Sequence, residues 1–314
     1  MRRGRGNGTV VGVIQLHELT KRYGRTTAVN GLTCTVRPGQ VTGFLGPNGA
    51  GKSTTLRMIL GLTEPTGGTA TVGGHPFRAH ARGLRHVGAL LDAGDVQGGR
   101  SARAHLWALA RSNRIPRARV GEVLREVGLD SAARRRIGGF SLGMRQRLGI
   151  AVALLGDPAV LVFDEPFNGL DPEGVLWVRG LFRRLAGEGR TVLVSSHLMS
   201  EMANTADHLV VIGRGELIAD ESLAAFEARG SHPSVTVRTP SPAGLAAALA
   251  AEHAVVTAQD QTLTVTGLRA QRIGEIAFEQ RIMLHELTTH APSLEAAFME
   301  LTAGSVEYQA GETR

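Results

Sequence analysis

Three features of the sequence predict an α/β fold with a parallel sheet at its centre. Residues 159–163 and 191–194 are continuous apolar runs rich in β-branched side chains, the pattern of strands buried on both faces. Helical periodicity lies between them, so strands and helices alternate. A third β-like run, Val41-Thr42-Gly43-Phe44-Leu45, enters a glycine-rich loop that opens onto a helical segment. At 314 residues, 42% hydrophobic and 20% charged, the chain suffices for one large domain or two and is too apolar for disorder. No stretch approaches the roughly 18 to 20 apolar residues that a membrane span needs, and no apolar signal-peptide core follows the basic start. The single cysteine, Cys34, excludes an internal disulfide framework and a cysteine zinc site. An integral membrane protein, a secreted mini-protein and a zinc-finger protein are excluded on these grounds, and a cytoplasmic two-domain protein is expected.

Along the chain, residues 1–12 read as a flexible arm of glycine and arginine. Alternating apolar residues with turn signals, among them Val13-Ile14-Gln15-Leu16-His17 and Arg37-Pro38-Gly39-Gln40, predict an antiparallel β region from Val13 to about Thr42. Ser53 to Gly61 reads as a helix stopped by its glycine. Residues 100–135 are helical in pattern, with Leu106, Leu109 and Ala110, then Val120, Val123, Leu124 and Val127, at i, i+3, i+4 spacing. After about residue 230 the composition shifts, and Ser231-His232-Pro233-Ser234 reads as a linker. Beyond it we expect strand 235–239, helix 242–252, strands 254–257 and 262–266, helix 269–280, strand 282–288 and helix 293–302. That β-α-β-β-α-β order matches a split-βαβ, ferredoxin-like module.

The charge is uneven. The net charge is +7, and 33 of the 35 basic residues are arginines, the two lysines being Lys21 and Lys52. Residues 100–147 hold twelve arginines against Glu122, Glu126 and Asp130, a net of +9, which leaves −2 for the remainder. Such a segment can face phosphates of nucleic acid or of a lipid surface, or simply form solvated helix faces.

The chemistry begins at Gly46-Pro47-Asn48-Gly49-Ala50-Gly51-Lys52-Ser53, with Thr54 next, which fits G-x-x-x-x-G-K-[ST] between a strand and a helix. In that motif the glycines turn backbone N–H groups inward around phosphate oxygens, Lys52 reaches the β- and γ-phosphates, and the Ser53 hydroxyl ligates Mg²⁺. An arginine-rich chain that carries lysine here is informative, because a compact ammonium fits a phosphate cradle that a forked guanidinium crowds. Ala159-Val160-Leu161-Val162-Phe163-Asp164-Glu165 ends an apolar strand in two acids. Asp164 is placed to hold Mg²⁺, and Glu165 to polarise the attacking water as general base.

Between these motifs, Phe140-Ser141-Leu142-Gly143-Met144-Arg145-Gln146-Arg147 resembles the signature of ATP-binding cassette (ABC) ATPases, usually Leu-Ser-Gly-Gly-Gln. The other elements of that family follow in order over residues 13–230. Tyr23 matches the aromatic that stacks on adenine, Asn168-Gly169-Leu170-Asp171 looks like the D-loop, and His197 in Ser195-Ser196-His197 looks like the switch histidine at the γ-phosphate. Two positions depart from the pattern. Leu142 and Met144 replace a signature glycine and the glutamine, while Ser141 and Gly143 remain to face a partner's γ-phosphate. Asp92, in Val87-Gly88-Ala89-Leu90-Leu91-Asp92, stands where the Q-loop glutamine belongs, and a carboxylate there can still accept a Mg²⁺-bound water. Both departures resemble the ATPase subunits of bacitracin- and daunorubicin-type exporters. Residues 291–302 look like that subgroup's closing helix, and equally like an amphipathic helix that packs the second domain.

The resemblance implies an ABC nucleotide-binding domain over 13–230, with a RecA-like core, an antiparallel β subdomain and a helical subdomain at about 85–157, followed by an accessory domain at 231–314. It implies an ATPase using ATP and Mg²⁺ that closes as a head-to-tail homodimer and drives a separate membrane permease exporting a drug-like molecule. The chain would then sit on the inner face of the cell membrane, with its basic segment near the permease or lipid headgroups and no nucleic acid expected. The alternative is a soluble ABC ATPase acting on ribosomes or nucleic acid. Such translation factors normally fuse two cassettes and DNA-repair relatives insert coiled coils, and this chain has neither. A regulatory module with little turnover is disfavoured by the intact Glu165 and His197.

Overall fold

The structure is a computed structural model that describes residues 12–94, 96–229, 234–290 and 294–302. Apart from Gly12, the amino-terminal arm lies outside the described residues, as do residues 231–233 of the expected linker and residues 291–293. The chain divides into two compact units, and the second spans Ala224–Glu300.

In the first unit, β1 (Ile14–Tyr23) pairs antiparallel with β2 (Thr26–Val36) and with β4 (Gly67–Val72). The alternation read from Val13 to Thr42 thus supplies two strands of a three-stranded antiparallel sheet, while Val41 and Thr42 belong to a parallel strand of the main sheet. Its edge strand β4, Gly67-Gly68-Thr69-Ala70-Thr71-Val72, is too glycine-rich to signal itself in sequence. The main sheet has six strands in the order β5 (Val87–Leu90), β6 (Val160–Asp164), β7 (Thr191–Ser196), β3 (Val41–Leu45), β8 (His208–Gly213) and β9 (Glu216–Ser222). All neighbours are parallel except the β8–β9 hairpin. Strands β3 and β7 are buried at every residue, including the polar Thr42, Thr191, Ser195 and Ser196. The helices of this unit are α1 (Lys52–Ile59), α2 (Ala102–Ser112), α3 (Arg117–Glu126), α4 (Leu142–Leu154), α5 (Pro172–Gly187) and α6 (Met199–Ala203), and α7 (Leu223–Arg229) begins at its last residue before the second unit.

Leu106, Ala110, Val120, Val123, Leu124 and Val127 are all buried, so the apolar stripe of the basic segment faces inward. Its helical pattern stops earlier than the sequence suggests. α3 ends at Glu126, and Gly128 at φ 71 starts the turns that lead to α4. One core packs the antiparallel sheet, α1 and the main sheet through Ile14, Leu19, Leu32, Leu56, Ile59 and Val162. Cys34 lies in it, and burial pushes its thiol up to about 12, so it stays protonated at neutral pH.

The second unit is a four-stranded antiparallel sheet in the order β11 (Val255–Gln259), β12 (Thr262–Thr266), β10 (Ser234–Arg238) and β13 (Glu286–His290). Helices α8 (Pro242–Ala251) and α9 (Ala270–Glu279) contribute Leu245, Leu249, Ile273 and Ile276 to its core, with Val235, Val237, Leu263 and Val265 from the central strands. Numbered within the module, the order is 2-3-1-4, the split-βαβ arrangement expected from sequence. α10 (Leu294–Thr302) closes the described chain. The last strand differs from expectation, spanning 286–290 instead of 282–288. Its ladder starts at Arg238↔Glu286, so residues 282–285 run past the end of β10, and the Thr239 hydroxyl donates to the Met283 carbonyl there at 2.8 Å. Ile282 and Leu284 still pack against the module core, which explains their strand-like alternation.

Candidate functional site

The sheet order places three loops side by side. β3 lies beside β7, and β7 beside β6, with Leu45↔Ser196 and Asp164↔Ser195 in register. The glycine-rich loop after β3, the acids ending β6 and the histidine after β7 therefore emerge together at the carboxyl ends of parallel strands, where open α/β sheets bind ligands.

The loop from Gly46 to Gly51 is held by close backbone approach. A Cβ on Gly46 would lie 2.5 Å from the Ile212 carbonyl oxygen. Gly51 has φ 100 and faces the Ala28 carbonyl, a position closed to a side chain on both counts. Pro47, Asn48, Gly49 and Ala50 complete the turn, with Ala50 N–H donating to Pro47 O at 3.2 Å. Lys52 starts α1 and is 7% exposed, and its ammonium donates to the carbonyls of Gly46 (2.6 Å) and Pro47 (3.2 Å). Burial lowers its pKa, against the raising influence of Glu165 and Asp164. Ser53 is exposed at the start of the helix and Thr54 half-buried beside it.

Glu165 is the hub. One carboxylate oxygen lies 3.9 Å from Lys52 Nζ, and the other lies 2.9 Å from His197 Nδ1. Its backbone is left-handed, φ 49, a conformation that costs a non-glycine residue about 1 kcal/mol or more and persists only when neighbours enforce it. Two side chains do so. Glu165 N–H donates to Ser195 Oγ at 3.1 Å, and its carbonyl accepts from Gln146 Nε2 at 3.2 Å. The Ser195 hydroxyl in turn donates to Asp164 Oδ1. Ser195 and Gln146 are both buried. Neither residue has a task that the family pattern in the sequence assigns. A buried amide in the otherwise apolar inner face of α4 was the available signal, because a buried polar group needs a partner.

The Ser196 hydroxyl bonds to Glu201 Oε2 and accepts from Leu198 N–H at 2.9 Å, bracing the turn that carries His197. Burial raises the Glu201 pKa, the Ser196 hydrogen bond opposes that shift, and the Glu165 charge adds to it. A carboxyl raised in the folded state binds its proton more tightly there than when unfolded. Stability therefore falls as pH rises through the ordinary carboxylate range, where the unfolded chain ionises first. Glu201→Gln keeps an acceptor for Ser196 and removes the charge. Its melting temperature should exceed wild type by up to a few degrees at pH 7, and the difference should vanish near pH 4 in a calorimetric pH series.

The remaining positions make no hydrogen bond or ion pair with Lys52, Glu165 or His197 among the described residues. Tyr23 ends β1, is 52% exposed and lies under the Lys21 ammonium, 5.0 Å from its ring centre. Ser141 caps α4 by accepting from Met144 N–H at 3.2 Å, and Asp171 caps α5 by accepting from Gly174 N–H at 2.8 Å. Gly143 and Leu142 pack against Gly169 in the turn before α5, so the leucine that replaces a glycine fills space beside that turn. Asp92 is exposed after β5, and its carboxylate accepts from Gly94 N–H at 2.6 Å.

The cradle fits a triphosphate, since small residues hold the backbone open, a buried ammonium points among carbonyls it can leave, and a helix begins at the same point. The Ser53 hydroxyl and the Asp164 carboxylate are hard oxygen donors of the kind Mg²⁺ takes.

The family model described as ABC transporter matches residues 29–168, and a domain of unknown function matches residues 233–295. An uncharacterised ABC transporter ATP-binding protein of Bacillus subtilis, YhcH, is 33% identical across 94% of this chain and 97% of its own length. The bacitracin transport ATP-binding protein BcrA of Bacillus licheniformis is 41% identical over 66% of this chain and 69% of its own. A Nod factor export ATP-binding protein of Burkholderia orbicola is 38% identical over 75% and 79%. Among solved structures, an ATP binding subunit of an ABC transporter superposes with a TM-score of 0.64 at 26% identity, over 69% of this chain and 92% of that one.

Proposed function

The chain belongs to the ABC transporter ATP-binding proteins and is an ATPase, and from that premise we propose that it powers export of an antibiotic-like molecule through a separate membrane permease. The observation that carries the reading is the convergence of Lys52 and His197 on the Glu165 carboxylate at adjoining strand ends. The loop amides and Lys52 hold the phosphates of ATP, and Tyr23 stacks on its adenine. Glu165 takes the proton of the attacking water, with Gln146 and Ser195 fixing its backbone and His197 steadying its carboxylate. Ser53 and Asp164, with Asp92 as a further acid, would hold Mg²⁺, which neutralises charge on the β- and γ-phosphate oxygens. Ser141 and Gly143 face the γ-phosphate bound by a second copy, and Asp171 lies in the turn beside them, so two chains close head-to-tail on two nucleotides. ATP then acts as a ligand favouring the closed pair, and hydrolysis releases it.

Export is supported by the relatives named for bacitracin transport and Nod factor export. A permease partner is supported by a groove of about 640 Å³ that runs past Leu62, Leu84, Leu91, Asp92 and His105. No described helix is long and apolar enough to cross a membrane. To test this, tagged Glu165→Gln chain is purified from detergent-solubilised membranes with ATP, and its partners are identified. A stoichiometric multi-spanning protein is expected. Recovery with ribosomes or nucleic acid, and without such a protein, would overturn the transporter reading.

A further inference from the structure

Of the three acids of the basic segment, two are engaged elsewhere than its cavity, and the third, Asp130, is exposed and does not line it. Glu122 pairs with Arg119 at 3.1 Å, and Glu126 bonds Arg184 of α5. Between α2 and α3 lies a separate cavity of about 270 Å³, with Arg103, Trp107, Arg117, Val120 and Arg134 in its wall. None of its three arginines has a carboxylate within ion-pair distance among the described residues, and no acid lines it. The Arg117 guanidinium stacks over the Trp107 ring, 5.3 Å from its centre. Stacking spends the face of a guanidinium and leaves the N–H edge free to donate. Three cations around an aromatic and aliphatic wall, with no counter-charge of their own, make a concave site for an anion that carries a small carbon skeleton. The volume equals about nine waters at roughly 30 Å³ each, below the roughly 300 Å³ where drug-sized pockets begin. That suits a group the size of glycerol phosphate, and planar forks favour phosphate over a monopolar anion.

We propose that this cavity binds a phosphate ester, carried either by a small soluble molecule or by a phospholipid headgroup. The site is independent of the ATP-binding loop, and its reading does not rest on the transported molecule. The chain has two tryptophans, Trp107 and Trp177, so Trp177→Phe leaves a single reporter in the cavity wall. In that background, Trp107 emission is titrated with sn-glycerol 3-phosphate, and separately with phosphatidylcholine vesicles with and without phosphatidylglycerol. A saturable change with glycerol phosphate marks a soluble ligand, and one confined to phosphatidylglycerol vesicles marks a lipid. In either case Arg103→Gln and Arg134→Gln should each weaken the response about tenfold or more. Arg111→Gln, on α2 but outside the cavity, should leave it unchanged. ATP hydrolysis and the melting temperature of these variants should match the parent, which separates loss of the site from loss of the fold. No response to either probe overturns the proposal. So does a response that sodium chloride of equal ionic strength reproduces, or one that Arg111→Gln weakens as much as Arg134→Gln does.

Discussion

Glu165→Gln should lower the turnover number for ATP hydrolysis by about 10²- to 10⁴-fold, the range that a positioned general base contributes, while ATP still binds. The amide is isosteric with the carboxylate, so the left-handed backbone and its bonds to Ser195 and Gln146 remain satisfied. What disappears is the ability to accept a proton from water. His197, 2.9 Å from Glu165 Oε2, keeps a hydrogen-bonding partner in the glutamine. Lys52 loses the nearer of the two acids that oppose its burial, and its contacts with Gly46 and Pro47 hold it in the loop. The check is single-turnover hydrolysis beside equilibrium ATP binding. Gel filtration with ATP should also show the variant accumulating as a dimer, because the ligand that favours the closed pair is no longer consumed. Hydrolysis within a few-fold of wild type would remove Glu165 from the role of base. A variant that stays monomeric with saturating ATP would remove the composite site across two chains.

Much of this site was legible because its parts are local. A phosphate cradle is eight consecutive residues with a strand before and a helix after, and Asp164-Glu165 sits at the end of its own apolar run. Bracing was not legible, because it is tertiary. Gln146 reaches Glu165 from nineteen residues away and Ser195 from thirty, and neither separation carries a periodic signal. The same division runs through the fold. Strands β6 and β7 announce themselves by continuous apolar runs and β3 by the β-like run that enters the glycine-rich loop, whereas their order in the sheet, with β7 between β6 and β3, follows from crossovers that no local pattern records. Where a local pattern did mislead, at residues 282–288, the alternation was real but the partner strand had already ended. Leu142 is a related case. A departure from the family pattern reads in sequence as a defect, and in space it is a side chain packed against Gly169.

Lys52→Arg should cost as much activity as Lys52→Ala, a loss of about 10²-fold or more in kcat/KM, although it keeps the charge. In a chain whose other basic residues are 33 arginines and a single further lysine, the composition would make arginine the default cation at this position. The geometry explains its exclusion. Lys52 is 7% exposed, and its ammonium already sits 2.6 Å from one loop carbonyl and 3.2 Å from the next. A guanidinium brings a planar group of three nitrogens into the same space, so either the loop from Gly46 to Gly51 must widen or the side chain must leave. The first is blocked on two sides, by Ile212 O against Gly46 and by Ala28 O against Gly51. The second removes a preorganised charge from phosphate oxygens, and losing one such donor costs about 10²- to 10³-fold in acyl-transfer enzymes. Alanine removes the charge and leaves the loop its space, so the two variants should fail differently. Lys52→Ala should melt near wild type, since the lost hydrogen bonds are offset by the relief of a buried, desolvated ammonium. Lys52→Arg should melt several degrees lower. Equal loss of hydrolysis with unequal melting temperatures would mark size as the constraint at this position, and near-wild-type hydrolysis by Lys52→Arg would show that charge alone suffices.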